Sequence, residues 1–254
     1  MVQAERMQAI LDILKENDFV TVDFLVKKLH YSPATVRRDL TELARLGLAE
    51  KNWGGVSLIR EDTRHGLPPY PFRLQKNVRD KQAAARLAAS LVKDGDTVFI
   101  DGSTTASYMA VPLLAKKDIT VITNNLELLS ALHRGGVATI CTGGAPVKDG
   151  DVLFGYTAER AVEDRRADIC FFSAHGYDKD GNITEVFDDT IRLVRRMIQN
   201  SAVSVFLCDA EKEGAPSPTR LCTFNDISCV VCERDIEAQF SRDFPNVRFL
   251  SARH

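Results

Sequence analysis

No run of about 18 consecutive apolar residues occurs in this 254-residue chain, so no segment reads as a membrane-spanning helix. The first residues also lack the apolar stretch of a secretory signal, being interrupted by Glu5, Arg6, Asp12, Lys15, Glu16 and Asp18. Cysteine is sparse. The six residues, Cys141, Cys170, Cys208, Cys222, Cys229 and Cys232, lie mostly inside apolar runs. That suits buried free thiols in a reducing compartment, and the expected location is the cytoplasm. Cys229 and Cys232 have CxxC spacing, but no second CxxC and no His pair accompanies them. A structural thiol pair is therefore favoured over a metal or redox site, and neither a metal nor a cofactor is expected. An excess of charge of either sign is missing as well. With 33 Lys and Arg against 35 Asp and Glu, the net charge of −2 excludes a uniformly basic protein. Nucleic-acid binding would have to come from a local arrangement. Even the first 60 residues hold only nine basic against eight acidic side chains.

What is present is ordinary globular composition, 44% hydrophobic and 27% charged, in a chain long enough for one large or two ordinary domains. Residues 1–58 read as three helices and a hairpin. Met7, Ile10, Leu11 and Leu14 recur at helical spacing between about Glu5 and Asn17. Thr21 can cap a short second helix carrying Val22, Leu25, Val26 and Leu29. Ser32-Pro33 then opens a third, because Ser is a preferred N-cap and Pro at the first helical position loses no needed N–H. Gly47 stands where a C-terminal cap belongs, and Leu48 to Leu58 reads as a hairpin turning at Trp53-Gly54-Gly55. Residues 59–76, charged and holding Pro68, Pro69 and Pro71, read as a linker.

From residue 77 the pattern changes. An Ala-rich helix, Lys81 to Lys93, is followed by apolar runs alternating with helical segments. The runs are Val98–Ile100, Ile119–Ile122, Val137–Cys141, Ile169–Phe172, Val203–Leu207, Ile227–Val231 and Val247–Leu250. Such alternation predicts an α/β domain over residues 77–254 with a mainly parallel sheet and helices on both faces.

Two helices joined by a tight turn, the second capped by Ser32, fit a winged helix-turn-helix. With Val36, Leu40 and Leu43 facing in, Ala34, Arg38, Thr41 and Arg45 face out, flanked by Thr35 and Arg37. The N-terminal turns of a recognition helix enter the major groove, where an Arg fork pairs with guanine edges. The candidate DNA-binding residues are Ser32, Ala34, Thr35, Arg37, Arg38 and Thr41, with Lys51 on the hairpin reaching a phosphate. A merely solvated pair of arginines is the plainer alternative. Trp53 is open between packing the hairpin and touching DNA.

In the second domain, Asp101-Gly102-Ser103-Thr104-Thr105 follows a strand and precedes a helix. Successive N–H groups, hydroxyls and a helix N-terminus make an anion cradle there. Asn124-Asn125, Gly143-Gly144, His175, and Asp209 with Lys212 follow four further strands. In open α/β sheets ligands bind beyond the carboxyl ends of strands, so all of these are candidate effector contacts. His175 is as readily an ordinary hydrogen-bonded histidine.

The residues Glu5-Arg6, Ile10-Leu11, Val20-Thr21-Val22, Leu25, the run from Tyr31 through Arg37-Arg38-Asp39-Leu40, Leu43, Gly47-Leu48 and Trp53-Gly54-Gly55 together resemble the DeoR family of bacterial sugar-metabolism repressors. The likeness continues through residues 94–105, Thr123-Asn124-Asn125, Gly143-Gly144 and Asp209 to Lys212. It departs at Trp53, where the family has a basic residue or His. It departs again at Val194, where a Lys often stands three residues before the Met of a late helix; Arg195 is the next residue. The resemblance implies a sensor domain similar in fold to ribose-phosphate isomerase and coenzyme A transferases, binding a phosphorylated sugar without turnover. The expected function is a sequence-specific DNA-binding repressor of a carbohydrate-metabolism operon, with operator DNA and a phosphorylated sugar as partners. No catalytic residue is assigned. A homo-oligomer, dimer or higher, is expected because one short helix reads only a few base pairs. The alternatives are a sugar-phosphate isomerase-like enzyme using Asp101, Asp209 and Lys212, and a transcriptional activator.

Overall fold

The computed structural model describes residues 3–17, 19–58, 70–147, 151–215 and 217–252. It divides into two compact units, Met1–Lys76 and Asn77–His254.

The first unit contains α1 (Gln3–Glu16), β1 (Phe19–Thr21), α2 (Val22–Leu29), α3 (Pro33–Arg45), β2 (Ala49–Asn52), β3 (Gly55–Leu58) and α4 (Tyr70–Gln75). The caps lie where the residue types demand. Thr21 accepts from the Phe24 N–H, and Ser32 accepts from the Thr35 N–H with Pro33 in the first turn. Gly47, at φ +70, closes α3: its N–H reaches the Ala44 carbonyl while the Leu48 N–H reaches that of Leu43. This double bond pattern satisfies carbonyls that a helix end otherwise leaves bare. Met7, Ile10, Leu11, Leu14, Leu25, Val36, Leu40, Leu43, Ala49 and Val56 form one core. The three strands are ordered β1-β3-β2, all antiparallel.

The segment read as a linker needs correcting. Residues 59–69 lie outside the described residues, but Tyr70 to Gln75 are helical, and Tyr70 and Phe72 are buried, Phe72 in the core of this unit. Pro71 sits in the opening turn of α4, where its missing N–H costs nothing.

The second unit runs α5 (Val78–Ser90), β4 (Thr97–Ile100), α6 (Thr104–Ser107), α7 (Ala110–Leu113), β5 (Thr120–Thr123), α8 (Leu126–Arg134), β6 (Ala138–Cys141), β7 (Ala145–Pro146), β8 (Leu153–Phe154), α9 (Tyr156–Glu163), β9 (Ala167–Phe172), β10 (Gly176–Tyr177), β11 (Asn182–Glu185), α10 (Asp188–Gln199), β12 (Ser201–Cys208), β13 (Thr219–Thr223), β14 (Cys229–Cys232), α11 (Glu237–Phe240) and β15 (Arg248–Ser251). Seven strands form one sheet in the order β15-β14-β12-β9-β4-β5-β6, and every neighbouring pair is parallel. A small antiparallel sheet, β10-β11-β13, lies outside what the apolar runs anticipated.

Both faces of the large sheet are covered, and alternate residues serve two different cores. Ile169, Phe171, Val205, Leu207, Cys229 and Val231 join Ala84, Ala85, Ala88 and Leu132 on one side. Cys170, Phe172, Phe206, Cys208, Val230 and Cys232 join Ile191, Val194, Met197 and Phe224 on the other. Strand period two therefore sends Cys229 and Cys232 to opposite faces. They cannot share one metal ion, and among the described residues no His, Cys, Asp and Glu group suited to a metal occurs. No helix of the described residues is long and apolar enough to cross a membrane.

Candidate DNA interface and effector site

On α3, Ser32, Ala34, Arg37, Arg38 and Thr41 are exposed and Thr35 is half-buried; Lys51 on β2 is exposed. The Thr41 hydroxyl donates to the Arg37 carbonyl at 2.7 Å and accepts from Lys51 Nζ, so the hairpin is latched to the outward face of α3. Arg45, also outward, is already paired with Glu42. Arg37 and Arg38 donate no side-chain hydrogen bond among the described residues, which leaves two guanidinium forks available on the exposed face. Their neighbour Asp39 turns the other way. It is 1% exposed and accepts both Nε and Nη2 of Arg6, at 2.8 and 3.0 Å. The Arg6 guanidinium in turn lies 5.3 Å from the centre of the Tyr31 ring. The Arg37-Arg38-Asp39-Leu40 motif thus divides into two outward cations and two inward anchors.

In the second unit, strand order reverses between β4 and β9, where β4 leads on to β5 and β6 while β9 leads to β12 and β14. Such a switch point opens a crevice at the carboxyl edge. Five adjacent strands deliver the candidate effector residues there. Asp101 leaves β4 and is fully buried; one carboxylate oxygen accepts from the Ser103 N–H and hydroxyl, at 3.1 and 2.6 Å, and the other from the Ser173 N–H beyond β9, at 3.2 Å. Lys212, beyond β12, donates to the Ser173 hydroxyl at 2.6 Å and the Ala174 carbonyl at 2.7 Å. Burial pushes the Asp101 carboxyl up from 3.8 to about 6, against the pull of the Ser103 and Ser173 hydrogen bonds and the Lys212 charge. Asp209 is buried and His175 half-buried beside this network.

On the other flank, Asn124 donates to the Leu153 carbonyl at 3.0 Å, while its Oδ1 is buried with no partner. The Thr105 hydroxyl is likewise buried and unpartnered. Asn125 caps α8 through the Leu128 N–H and reaches Ser107, so its side chain is committed to the fold. Gly143 and Gly144 follow β6 at φ +71 and +113, and a Cβ on Gly144 would fall 2.4 Å from the Phe154 carbonyl oxygen. A Cβ on Gly102 would meet Val152 at 2.3 Å. The glycines therefore hold the loops close together.

The positive charge of this edge differs in origin from the sequence reading. The helix opened by Ser103 is α6, a single turn, and so few aligned peptides sum to little dipole. Besides Lys212, a second cation stands at this edge, Lys81 on α5, 5% exposed, whose Nζ donates to the Thr104 hydroxyl at 3.2 Å. A lysine in an Ala-rich helix reads as solvated. Its spacing to Ala84, Ala85 and Ala88 nevertheless places it on the buried stripe, and that was the missed signal. Ser173, the hub between Asp101 and Lys212, had no sequence signal at all.

Family models cover both units. The DeoR-like helix-turn-helix domain matches residues 6–62, and the DeoR C terminal sensor domain matches residues 76–234. The chain belongs to the DeoR family. Its similar proteins include the HTH-type transcriptional repressor GlcR of Bacillus subtilis, 32% identical over 92% of this chain and 90% of that protein. The HTH-type transcriptional regulator GolR of Listeria innocua is 29% identical over 94% of each chain. The glycerol-3-phosphate regulon repressor of Escherichia coli is 29% identical over 84% of each. Among solved structures, ribose 5-phosphate isomerase from Plasmodium falciparum superposes with TM-score 0.39, at 13% identity, over 57% of this chain and 53% of that one. This DeoR-family member is accordingly a DNA-binding transcriptional regulator and not an enzyme, with operator DNA as its partner.

Proposed function

We propose that this regulator represses a carbohydrate-metabolism operon, that Arg37 and Arg38 read its operator, and that a phosphorylated sugar bound at the carboxyl edge of the large sheet relieves repression. The observation that carries the effector reading is a buried lysine bonded to the Thr104 hydroxyl, on the same sheet edge whose loops hold two buried, unpartnered polar atoms, Thr105 Oγ1 and Asn124 Oδ1. Lys81 with the Thr104 and Thr105 hydroxyls suits a phosphate, and Asn124 Oδ1 suits a sugar hydroxyl that donates to it. Asp101, Ser173 and Lys212 frame the rest of the ligand. Two or more subunits grip the operator, each contributing one α3. Control follows if the sugar phosphate binds the state of low DNA affinity more tightly, by the coupling free energy.

The test is a gel-shift titration against DNA upstream of the protein's own gene, with and without a panel of sugar phosphates. Release of DNA by one of them is the expected result; sequence-specific binding indifferent to every sugar phosphate would remove the effector assignment. In calorimetry, Lys81→Met is expected to weaken binding of that sugar phosphate by about 1.5–3 kcal/mol, roughly 10- to 150-fold, the worth of a charged hydrogen bond. Undiminished affinity would take Lys81 out of the pocket. Arg38→Ala is expected to weaken operator binding and relax preference at one base pair by about 1–3 kcal/mol. A variant with wild-type affinity and base preference would place Arg38 outside the interface.

A further inference from the structure

The loop after β4 holds an anion of its own. Asp101 is 2% exposed, and one of its carboxylate oxygens accepts both the N–H and the hydroxyl of Ser103, at 3.1 and 2.6 Å. The other accepts the Ser173 N–H at 3.2 Å. Thr104 and Thr105, both buried, follow Ser103 directly. A carboxylate of the protein thus fills donors of the kind that a phosphate seeks, in the loop whose next two hydroxyls stand ready for one.

The charges around this carboxylate do not offset its burial. Among the described residues no cation is hydrogen-bonded to it. Lys212, from beyond β12, acts on it through the Ser173 hydroxyl, to which it donates at 2.6 Å. Lys81, on α5, is bonded to Thr104 instead. Cys170, on β9, stays neutral because burial pushes its thiol up to about 11. Asp209 is buried at the same edge, and His175 is half-buried two residues beyond Ser173. Burial therefore dominates and holds the Asp101 carboxyl at about 6. At pH 7 a proton on it costs a factor of about ten, against about a thousand for an ordinary aspartate. An anion resting on the Thr104 and Thr105 hydroxyls lies beside this carboxylate. Two like charges repel strongly where water is excluded, and protonating the carboxyl relieves the repulsion.

Building on the phosphate assignment of this edge, we propose that Asp101 is a resident competitor of the effector: the phosphate takes over the Ser103 donors, and Asp101 accepts one proton from solvent as it gives them up. No other bond is made or broken. The neutral acid changes from an acceptor into a donor, able to bond a phosphate oxygen. Effector binding, and with it release of DNA, then strengthens as pH falls towards 6, because the bound state holds the extra proton.

Sulfate is the probe, since it has the tetrahedral shape of a phosphate group and keeps both charges throughout the range tested. The intact protein is titrated with sulfate in a calorimeter from about pH 5 to pH 8, in buffers of low and of high ionisation enthalpy. Wild type is expected to take up about one proton per sulfate at pH 7, with affinity level below pH 6 and falling about tenfold for each unit above it. In Asp101→Asn both the uptake and the pH dependence should vanish, and at pH 8 the variant should bind sulfate more tightly than wild type. The proton count is read in wild type and does not depend on the variant folding. Sulfate binding without proton uptake overturns the inference and leaves the phosphate assignment standing. Uptake that persists in Asp101→Asn gives the proton to another group, such as His175, and overturns it as well. No heat from sulfate in either protein, even at pH 5, removes the anion site and the inference with it.

Discussion

Asp39→Ala is expected to unfold the DNA-binding unit while the sensor unit stays folded. The carboxylate is 1% exposed and accepts two hydrogen bonds from Arg6, whose own side chain is 16% exposed. Removing one partner of a buried pair strands the other charge in a poor solvent, which costs about 3–5 kcal/mol. That is a large share of the stability of a domain of this size. Calorimetry should show the first unit's transition lowered or lost while the second is kept, with DNA binding abolished. Asp39→Asn, still able to accept one bond, should fall between. A first-unit transition at the wild-type temperature in Asp39→Ala would mean that the pair is not what ties α1 to α3. Arg38→Ala, one position earlier, should leave both transitions where they are.

The stability of the sensor unit should carry a pH signature from Asp101. Burial holds its carboxyl at about 6 in the folded protein against an ordinary 3.8, so the native state binds the proton more tightly than the unfolded chain. The contribution to stability is therefore fully present below about pH 4 and is lost as pH rises through 6. The difference of roughly two units amounts to about 3 kcal/mol at neutral pH. Asp101→Asn abolishes this titration. The hydrogen bonds it loses add an offset independent of pH. The unfolding free energy of wild type relative to Asp101→Asn should thus fall by about 2.4 kcal/mol between pH 4 and pH 7. Parallel profiles would mean that Asp101 is solvated in the folded state. Two of its three accepted bonds, from the Ser103 N–H and hydroxyl, hold its own loop after β4, and the third, from the Ser173 N–H, ties that loop to the one after β9 across the switch point.

Where local chemistry decides the structure, the sequence was legible. Ser32-Pro33 and Gly47 bound α3 through caps made by their own side chain, ring and permitted φ, and the apolar runs of the large sheet are long enough to declare themselves. Where distant partners decide, it was not. β1 is three residues long and exists by pairing with β3. Tyr70-Pro71-Phe72 reads as linker until the core of α1 and α3 is there to receive Phe72. The candidate effector site shows the same division. The polar clusters at the strand ends were visible, but Lys81 enters from a helix that precedes the sheet, and Ser173 matters only because Asp101 and Lys212 converge on it. Asn125 stands among the candidate contacts by its position at a strand end, and its side chain also caps α8.

The order of strands in the large sheet sets an order of events during synthesis. Every residue of the head's core has been made once Phe72 leaves the ribosome. The sheet has to wait, because β4 is flanked by β5, made soon after it, and by β9, made much later, and β9 in turn needs β12. Parallel pairing of distant segments is slow, whereas N-terminal units with local contacts fold first on a growing chain. Each molecule thus passes through an interval in which its DNA-reading head is assembled and its control domain is not. Messages that stall, or nascent chains cut in that interval, yield heads that carry no folded sensor domain.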